Sequence, residues 1–227
     1  EEAAKGKSFT FFDMSSAERI AKVGVPSMLQ QSIVSISMML MQGLVNSYGK
    51  VFVAGYTAAT KIDTLAMLPN MNFSNAMSSY AAQNIGAEKH ERIPLGYRAA
   101  NIMVAITAVI LCLFLELLHR PLIALFLDGA PSAQTVATGE GYLRFIGFFF
   151  CMIGFKMAVD GILRGAGAVK VFTIANLVNL GLRVLIAKLG APVYGIAMIW
   201  YAVPLGWLAN FLISYGYYRT GKWKQIK

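Results

Sequence analysis

The feature that most limits the fold of this 227-residue chain is a series of long apolar stretches, separated by short segments that carry charge, Gly or Pro. Six stretches reach the roughly 20 helical residues that cross the hydrocarbon core of a bilayer. Continuous apolar runs also lack the alternation of a membrane β-barrel. The sequence therefore predicts an all-α integral membrane bundle of six transmembrane helices, near 20–47, 51–86, 96–118, 138–164, 168–190 and 193–217.

Composition supports the bilayer as the solvent of this chain. Apolar residues make up 57% of it and charged residues only 14%, whereas soluble domains carry about 25% charged residues. The net charge of +9 comes from Lys and Arg at the ends of apolar stretches. Because they form no basic face with interleaved aromatic residues, they favour membrane orientation over nucleic-acid binding. Most soluble enzymes and a nucleic-acid partner are thereby excluded.

The basic residues also predict the orientation of the bundle. Most lie in the amino-terminal segment, the segments after the second and fourth stretches, and the basic tail at 219–227, which all fall on one side of the membrane. Since Lys and Arg mark cytoplasmic loops, both termini are expected in the cytoplasm of a bacterial-type plasma membrane. The polar residues 1–15 are interpreted as the remnant of a linker between two lobes, and 16–218 as the six-helix transmembrane lobe.

Polar side chains recur at helical spacing inside these stretches. Four of them in the first stretch, from Gln31 to Asn46, share an arc of roughly 60°, and four in the second, from Asn72 to Gln83, share roughly 80°. Single amides of this kind often join helices, but stripes on several helices favour a shared polar cavity. The predicted substrate-cavity residues are Gln31, Ser35, Met38, Gln42, Asn72, Asn75, Asn176 and Asn179.

Charged residues mark a candidate for ion coupling. Lys156 and Asp160 are four residues apart, a spacing that allows an ion pair on one helix face, and Arg183 shares a face with Asn176 and Asn179. Asp160 is either a structural charge neutralised by Lys156 or a functional carboxylate. The candidate set for ion coupling is therefore Asp160, Lys156 and Arg183.

No catalytic or metal-binding pattern is evident. The chain has no HExxH, GxSxG or Walker sequence, and Cys112 and Cys151 lie inside apolar stretches without a CxxC spacing. The sequence predicts neither an enzyme nor a resident cofactor or metal. The twelve methionines, many on the first two stretches, are either simple packing residues or an adaptable apolar surface for dissimilar ligands.

Three short segments carry a resemblance to a known family. They are Gly24-Val25-Pro26 with Gln30-Gln31, the run Gln83-Asn84-Ile85-Gly86-Ala87, and the run Leu163-Arg164-Gly165-Ala166-Gly167. In their order and spacing, from about residue 20 to the end, they resemble the second six-helix half of the multidrug and toxic compound extrusion (MATE) transporters. The resemblance implies one lobe of a twelve-helix carrier that exports organic, often cationic, small molecules in exchange for Na⁺ or H⁺ by alternating access.

The resemblance also implies a partner and leaves the coupling ion open. The partner would be the missing amino-terminal six-helix lobe. In the branch of the family whose carboxyl-terminal lobe binds a cation, an acidic residue stands near the position of Gln31 and another stands well before the Leu-Arg-Gly motif. Here the nearest acid to that motif is Asp160, only three residues before Leu163.

Two alternatives remain open at this point. A lipid-linked oligosaccharide flippase of the same wider superfamily would need cationic residues for a pyrophosphate headgroup, and Lys61, Arg144, Lys156 and Arg183 are candidates. A channel or structural membrane subunit would show a charge ring or a hydrophobic constriction at one depth.

Overall fold

The computed structural model describes residues 38–127 and 131–225 and, before them, the single residues Met14, Ala17, Met28, Ser32, Ser35 and Ile36. Gln31, the Gly24-Val25-Pro26 motif and most of the 1–15 segment therefore lie outside the described residues. The described residues are largely helical and contain no strand. The helices are α1 (38–46), α2 (Lys50–Ala66), α3 (Leu68–Gly86), α4 (Arg92–Leu125), α5 (Ala133–Gly147), α6 (Phe150–Gly165), α7 (Val169–Tyr194), α8 (Ala197–Arg219) and a terminal 3₁₀ turn (Lys222–Gln225).

The stretch predicted as one helix over 51–86 is divided at a single residue, Met67, into α2 and α3. Backbone hydrogen bonds continue across the division, from Met67 N to Asp63 O (2.9 Å) and from Met71 N to Met67 O (3.1 Å). Pro69 lies in the first turn of α3 and has no N–H to donate, which explains the interruption. The two helices together form the long segment that the sequence indicates.

The stretch predicted near 138–164 is two helices, α5 and α6, that meet at an angle of 55°. It also begins earlier than expected, at Ala133, because the Ser132 hydroxyl accepts a hydrogen bond from Thr135 N (3.2 Å) and caps α5. At the break, Phe149 N bonds to Ile146 O (2.9 Å), a tighter i to i−3 contact that ends the regular helix.

Glycines bring these two broken segments into close parallel contact, α2 on α5 and α3 on α6. On α6, a Cβ at Gly161 or Gly165 would collide with the Ser74 or Ser78 carbonyl oxygen of α3. On α2, a Cβ at Gly55 would collide with the Thr135 carbonyl oxygen of α5. Small residues allow such backbone approaches in membrane helices, where packing replaces the hydrophobic effect as the source of association.

Helix α4 is longer than the 96–118 expected, and one of its faces is apolar and exposed. Three described helices, α4, α7 and α8, are long and apolar enough to cross a membrane, and the bent α5–α6 pair would make a fourth span. The exposed apolar side chains of α4 include Ile102, Met103, Ile106, Val109, Ile110, Leu113, Phe114 and Leu117. An apolar face of this length is what lipid contact requires.

The α7–α8 hairpin closes the bundle and turns at Gly195, whose φ of 82° favours glycine. Helix α8 also packs on α6. After α8, the buried Trp223 stacks on Tyr218 at 5.6 Å. Helix α8 of the hairpin therefore lies against α6, which carries the Leu-Arg-Gly segment, and Asn176 and Ser214 of the hairpin contact α6.

Candidate functional site

The first polar cluster joins α6, α7 and α8 and is called here the Asp160 cluster: Lys156, Asp160, Asn176, Asn210 and Ser214. Lys156 Nζ lies 2.9 Å from Asp160 Oδ2. It also donates to Asn176 Oδ1 at 3.2 Å, and Asn176 Nδ2 donates in turn to Phe172 O at 2.8 Å. The structure thus forms the ion pair that the four-residue spacing allows, and adds Asn176 to it.

Helix α8 supplies the remaining partner of the Asp160 carboxylate. Ser214 Oγ donates to Asp160 Oδ1 at 2.6 Å, and the Asn210 amide oxygen lies 3.3 Å from the same hydroxyl. Asp160 is 3% exposed and Ser214 is fully buried. A buried charge is tolerated when it is paired and hydrogen-bonded. Asp160 Oδ1 accepts the hydrogen bond from Ser214, and Oδ2 is ion-paired with Lys156, although Oδ2 accepts no hydrogen bond among the described residues. The Lys156–Asp160 pair is therefore neutral and each carboxylate oxygen has a partner, whereas the Asn210 Nδ2 atom has none among the described residues.

A second polar cluster, called here the Asp63 cluster, joins α2, α5 and α7 around Asp63, Tyr56, Tyr142 and Arg183. Tyr142 Oη donates to Asp63 Oδ2 at 3.2 Å. Asp63 Oδ1 is buried and has no hydrogen-bond partner among the described residues. This carboxylate therefore differs from Asp160 in having one uncommitted oxygen.

Aromatic rings form one wall of the Asp63 cluster. Tyr142 packs edge-on against Tyr56 at 5.2 Å and against Trp200 at 6.1 Å. Phe52 stacks with Trp200 at 6.3 Å and an interplanar angle of 11°. The hydroxyl of Tyr142 thus projects from a packed aromatic layer onto the carboxylate.

Arg183 belongs with Asp63 and not with the Asp160 cluster. Its charge acts electrostatically on Asp63, Tyr56 and Tyr142, although no ion pair between Arg183 and Asp63 is formed among the described residues. Its Nε atom is buried without a hydrogen-bond partner in the described part of the chain. The guanidinium side chain also lines a small pocket with Met38, Met41, Leu180 and Val184, between α1 and α7.

Asn179 lies one turn before Arg183 and is held against α8. A Cβ at Gly206 would lie 2.9 Å from Asn179 O and 2.7 Å from Arg183 Cγ, so only glycine fits without a shift. Asn179 is buried, and its Oδ1 lacks a hydrogen-bond partner among described residues. The predicted face of α7 is therefore divided, with Asn176 in the Asp160 cluster and Asn179 beside Arg183.

The other predicted cavity residues lie on exposed surfaces. Gln42 Nε2 donates to Asn46 Oδ1 at 2.9 Å, and Asn75 Oδ1 accepts from Arg164 Nη2 at 2.9 Å. Asn72 and Ser35 are exposed, and Met38 is 60% exposed. These residues are not brought into contact with the two buried clusters, apart from Met38, which shares a pocket with Arg183.

Asp63 is not among the site residues predicted from the sequence, although an acidic residue inside a lipid-length stretch is itself a signal. The amide stripe drew attention to the opposite face of this segment. Asp63 precedes Asn72 by nine positions, which places it roughly 180° away around the helix. Its partners Tyr142 and Arg183 are distant in sequence, so no local spacing reveals them.

Comparison with known proteins gives related sequences over most of the chain. The chain is 33% identical over 209 residues to the "Probable multidrug resistance protein YpnP" of Bacillus subtilis, covering 92% of this chain and 46% of that protein. It is 23% identical over 211 residues to the "Probable multidrug resistance protein YoeA" of the same organism, covering 91% and 45%. The chain therefore spans slightly less than half the length of these relatives.

Solved structures and a family model agree with these relatives. The fold superposes on an outward-facing multidrug resistance MATE family transporter of the MOP superfamily with a TM-score of 0.83 and 21% identity, covering 96% of this chain and 50% of that one. A variant of the Vibrio cholerae MATE transporter VcmN gives 0.82 at 18% identity, covering 95% and 49%. The MatE family model matches residues 26–189. This chain is therefore a member of the MatE family, with the fold of one six-helix lobe of a MATE transporter.

Proposed function

We propose that this lobe is half of a secondary active multidrug exporter that moves organic, often cationic, molecules by alternating access in exchange for Na⁺ or H⁺. The proposal follows the relatives, which are named as multidrug resistance proteins. The observation that carries it is the contrast between two exposed surfaces, an apolar one on α4 and an amide-bearing one on α1 and α3. Only the amide-bearing surface is polar enough to line an aqueous transport pathway.

The two surfaces differ in the chemistry that they offer to a ligand. The exposed residues of α4 are aliphatic or aromatic and suit acyl chains. Gln42, Asn72 and Asn75 are exposed and offer amide donors and acceptors, with Met38 and Met71 exposed nearby in sequence. Amides in lipid would lack partners, so a polar cavity between two lobes is their favourable environment. Methionine supplies a polarizable surface that adapts to dissimilar ligands.

The companion amino-terminal lobe would form the other side of this polar cavity. The matched relatives and solved transporters are about twice as long as this chain. A companion six-helix lobe facing α1 and α3 would cover the amides and leave α4 toward lipid. Both ends of this lobe are proposed to lie in the cytoplasm, following the distribution of Lys and Arg.

The coupling role of Asp160 stays a prediction, and its geometry favours a structural role. Lys156 is paired with one carboxylate oxygen and Ser214 donates to the other, so a Na⁺ ion or a proton would compete with the Lys156 charge for this carboxylate. An ion could bind there only if this network opened during the cycle.

The flippase alternative is less well supported by the cations of this lobe. A pyrophosphate headgroup requires several uncommitted positive charges. Arg144 forms a two-point contact with Glu116, at 2.5 Å and 3.1 Å, and Lys156 pairs with Asp160. Of the four cations that the sequence suggested, only Lys61 and Arg183 have no such pairing among the described residues.

Transport in proteoliposomes tests the proposal. The transporter, comprising this lobe and its companion lobe, is reconstituted and loaded with ethidium, and efflux is followed under an imposed pH or Na⁺ gradient. Asn72→Ala should raise the KM of efflux about fivefold, because a lost polar contact costs about 1 kcal/mol. Ile106→Ala, on the exposed face of α4, is the matched control and should leave KM unchanged.

Several outcomes contradict the proposal. The absence of gradient-driven efflux by the folded wild-type protein would exclude a drug exporter. Conductance far above carrier turnover would indicate a channel instead. Equal effects of the Asn72 and Ile106 substitutions would mean that the amide surface is not where the substrate binds.

A further inference from the structure

We propose that Asp63 is a proton-binding carboxylate of the transport cycle, which takes up a proton at Oδ1 and signals its charge state to α7 through Arg183. This inference rests on the proposed transport function and adds a residue and a mechanism to it. It places the proton away from Asp160 and Lys156, and it retains Arg183 from the predicted coupling set.

The first support is the uneven environment of the two Asp63 oxygens. Oδ2 accepts the Tyr142 hydroxyl at 3.2 Å, whereas Oδ1 is buried and has no partner among the described residues. A buried acceptor without a donor is costly while the carboxylate is charged. A proton bound at Oδ1 removes the charge and with it most of this cost. Water on the outer side of the membrane supplies the proton, and water on the cytoplasmic side receives it later in the cycle.

Tyr142 is suited to hold the carboxyl group in both states. Its hydroxyl donates to Oδ2 in both states, because the carbonyl oxygen of a carboxyl group protonated at Oδ1 still accepts a hydrogen bond. The ring is fixed by contacts with Tyr56 and Trp200 at 5.2 and 6.1 Å, so the hydroxyl position changes little. Tyr142 is therefore a positioning residue for the Asp63 carboxyl.

Arg183 is the positive charge that responds to the proton. It acts electrostatically on Asp63 from α7, but it is not locked to it in an ion pair among the described residues. Tyr56 and Tyr142 are the other titratable groups that act on this site. The nearby α4–α5 charges are paired with each other, Glu116 with Arg144 and Arg120 with Glu140. Asp63 is thus the acidic residue whose charge interacts with that of Arg183, without a direct ion pair among the described residues.

The position of Arg183 connects the proton to the α1–α7 pocket. Its side chain lines that pocket with Met38 and Met41, and Met38 is exposed. With Asp63 charged, the guanidinium is attracted toward α2. Protonation removes this attraction, so the position of the Arg183 side chain on α7 depends on the charge state of Asp63.

Infrared difference spectroscopy tests proton binding without any drug. The reconstituted transporter is taken from high to low pH, and the carbonyl band of protonated carboxyl groups is recorded. Asp63→Asn should remove one band, and Asp63→Glu should retain it at a shifted frequency. Asp160→Asn is the matched control in the same lobe. Because Asp160 is paired with Lys156 and is not expected to contribute the band, this variant should keep the Asp63 band. Folding of each variant is checked by gel filtration.

The outcomes separate this inference from the transport proposal. A band that persists in a folded Asp63→Asn protein, or is lost in Asp160→Asn instead, would overturn the assignment. A wild-type band that Na⁺ changes and pH does not would also overturn it, since a metal cation would then occupy the site. If the Asp63 band is present but ethidium is not moved, proton binding stands and the exporter proposal fails.

Discussion

Two carboxylates lie inside this helical lobe, and the difference between them is the number of partners that each has. Asp160 is engaged at both oxygens, by Lys156 at 2.9 Å and by Ser214 at 2.6 Å. Asp63 is engaged at one, by Tyr142 at 3.2 Å. A buried carboxylate with a partner at each oxygen stabilises the packing of the helices around it. A buried carboxylate with one unpartnered oxygen is less stable in its charged form and is therefore more easily protonated.

Removal of the Lys156 charge should have the largest effect on stability. Lys156→Met leaves Asp160 buried and unpaired, which costs about 3–5 kcal/mol of unfolding free energy. The measurement is reversible unfolding in mixed micelles. Lys156→Met with Asp160→Asn should recover most of the loss, because no uncompensated charge remains.

Arg183→Met tests the other half of the comparison in the same assay. Since Arg183 forms no ion pair with Asp63 among the described residues, its loss should cost far less than that of Lys156. A similar loss for both substitutions would remove the distinction between the two clusters.

A smaller effect is expected where α8 approaches the Asp63 cluster. A Cβ at Gly206 would lie 2.7 Å from Arg183 Cγ and 2.9 Å from the Asn179 carbonyl oxygen. Gly206→Ala should therefore destabilise the lobe by about 2 kcal/mol through overpacking. Gly181→Ala is the matched control on α7, because its Cβ meets nothing within 4 Å, and it should leave stability unchanged or slightly raised. Equal losses would indicate that α7 and α8 are not held this closely.

Local patterns in the sequence account for much of the fold but for only one of the two clusters. Apolar length predicts the helical membrane bundle, and the motif near Leu163 indicates the family. The i to i+4 spacing of Lys156 and Asp160 identifies that pair, because a helix alone brings them together. The Tyr142 to Asp63 contact spans 79 positions. It depends on the packing of α2 against α5, which no local spacing reveals.

The smallest effects are expected from deletion of the two hydroxyls that donate to the carboxylates, and they compare the clusters most directly. Ser214→Ala removes the 2.6 Å bond to Asp160 and should cost about 1.5 kcal/mol, the low end for bonds to charged groups, because Lys156 still neutralises the carboxylate. Tyr142→Phe removes the longer bond to Asp63 and should cost about 1 kcal/mol.

The two substitutions should also differ in their effect on proton binding. Loss of the Tyr142 donor destabilises the charged form of Asp63, so the protonated form should persist to a higher pH. Infrared titration should therefore show a pH midpoint that moves upward in Tyr142→Phe and is unchanged in Ser214→Ala. A midpoint that moves in Ser214→Ala alone would assign the titrating carboxyl to Asp160, and the roles of the two clusters would be exchanged.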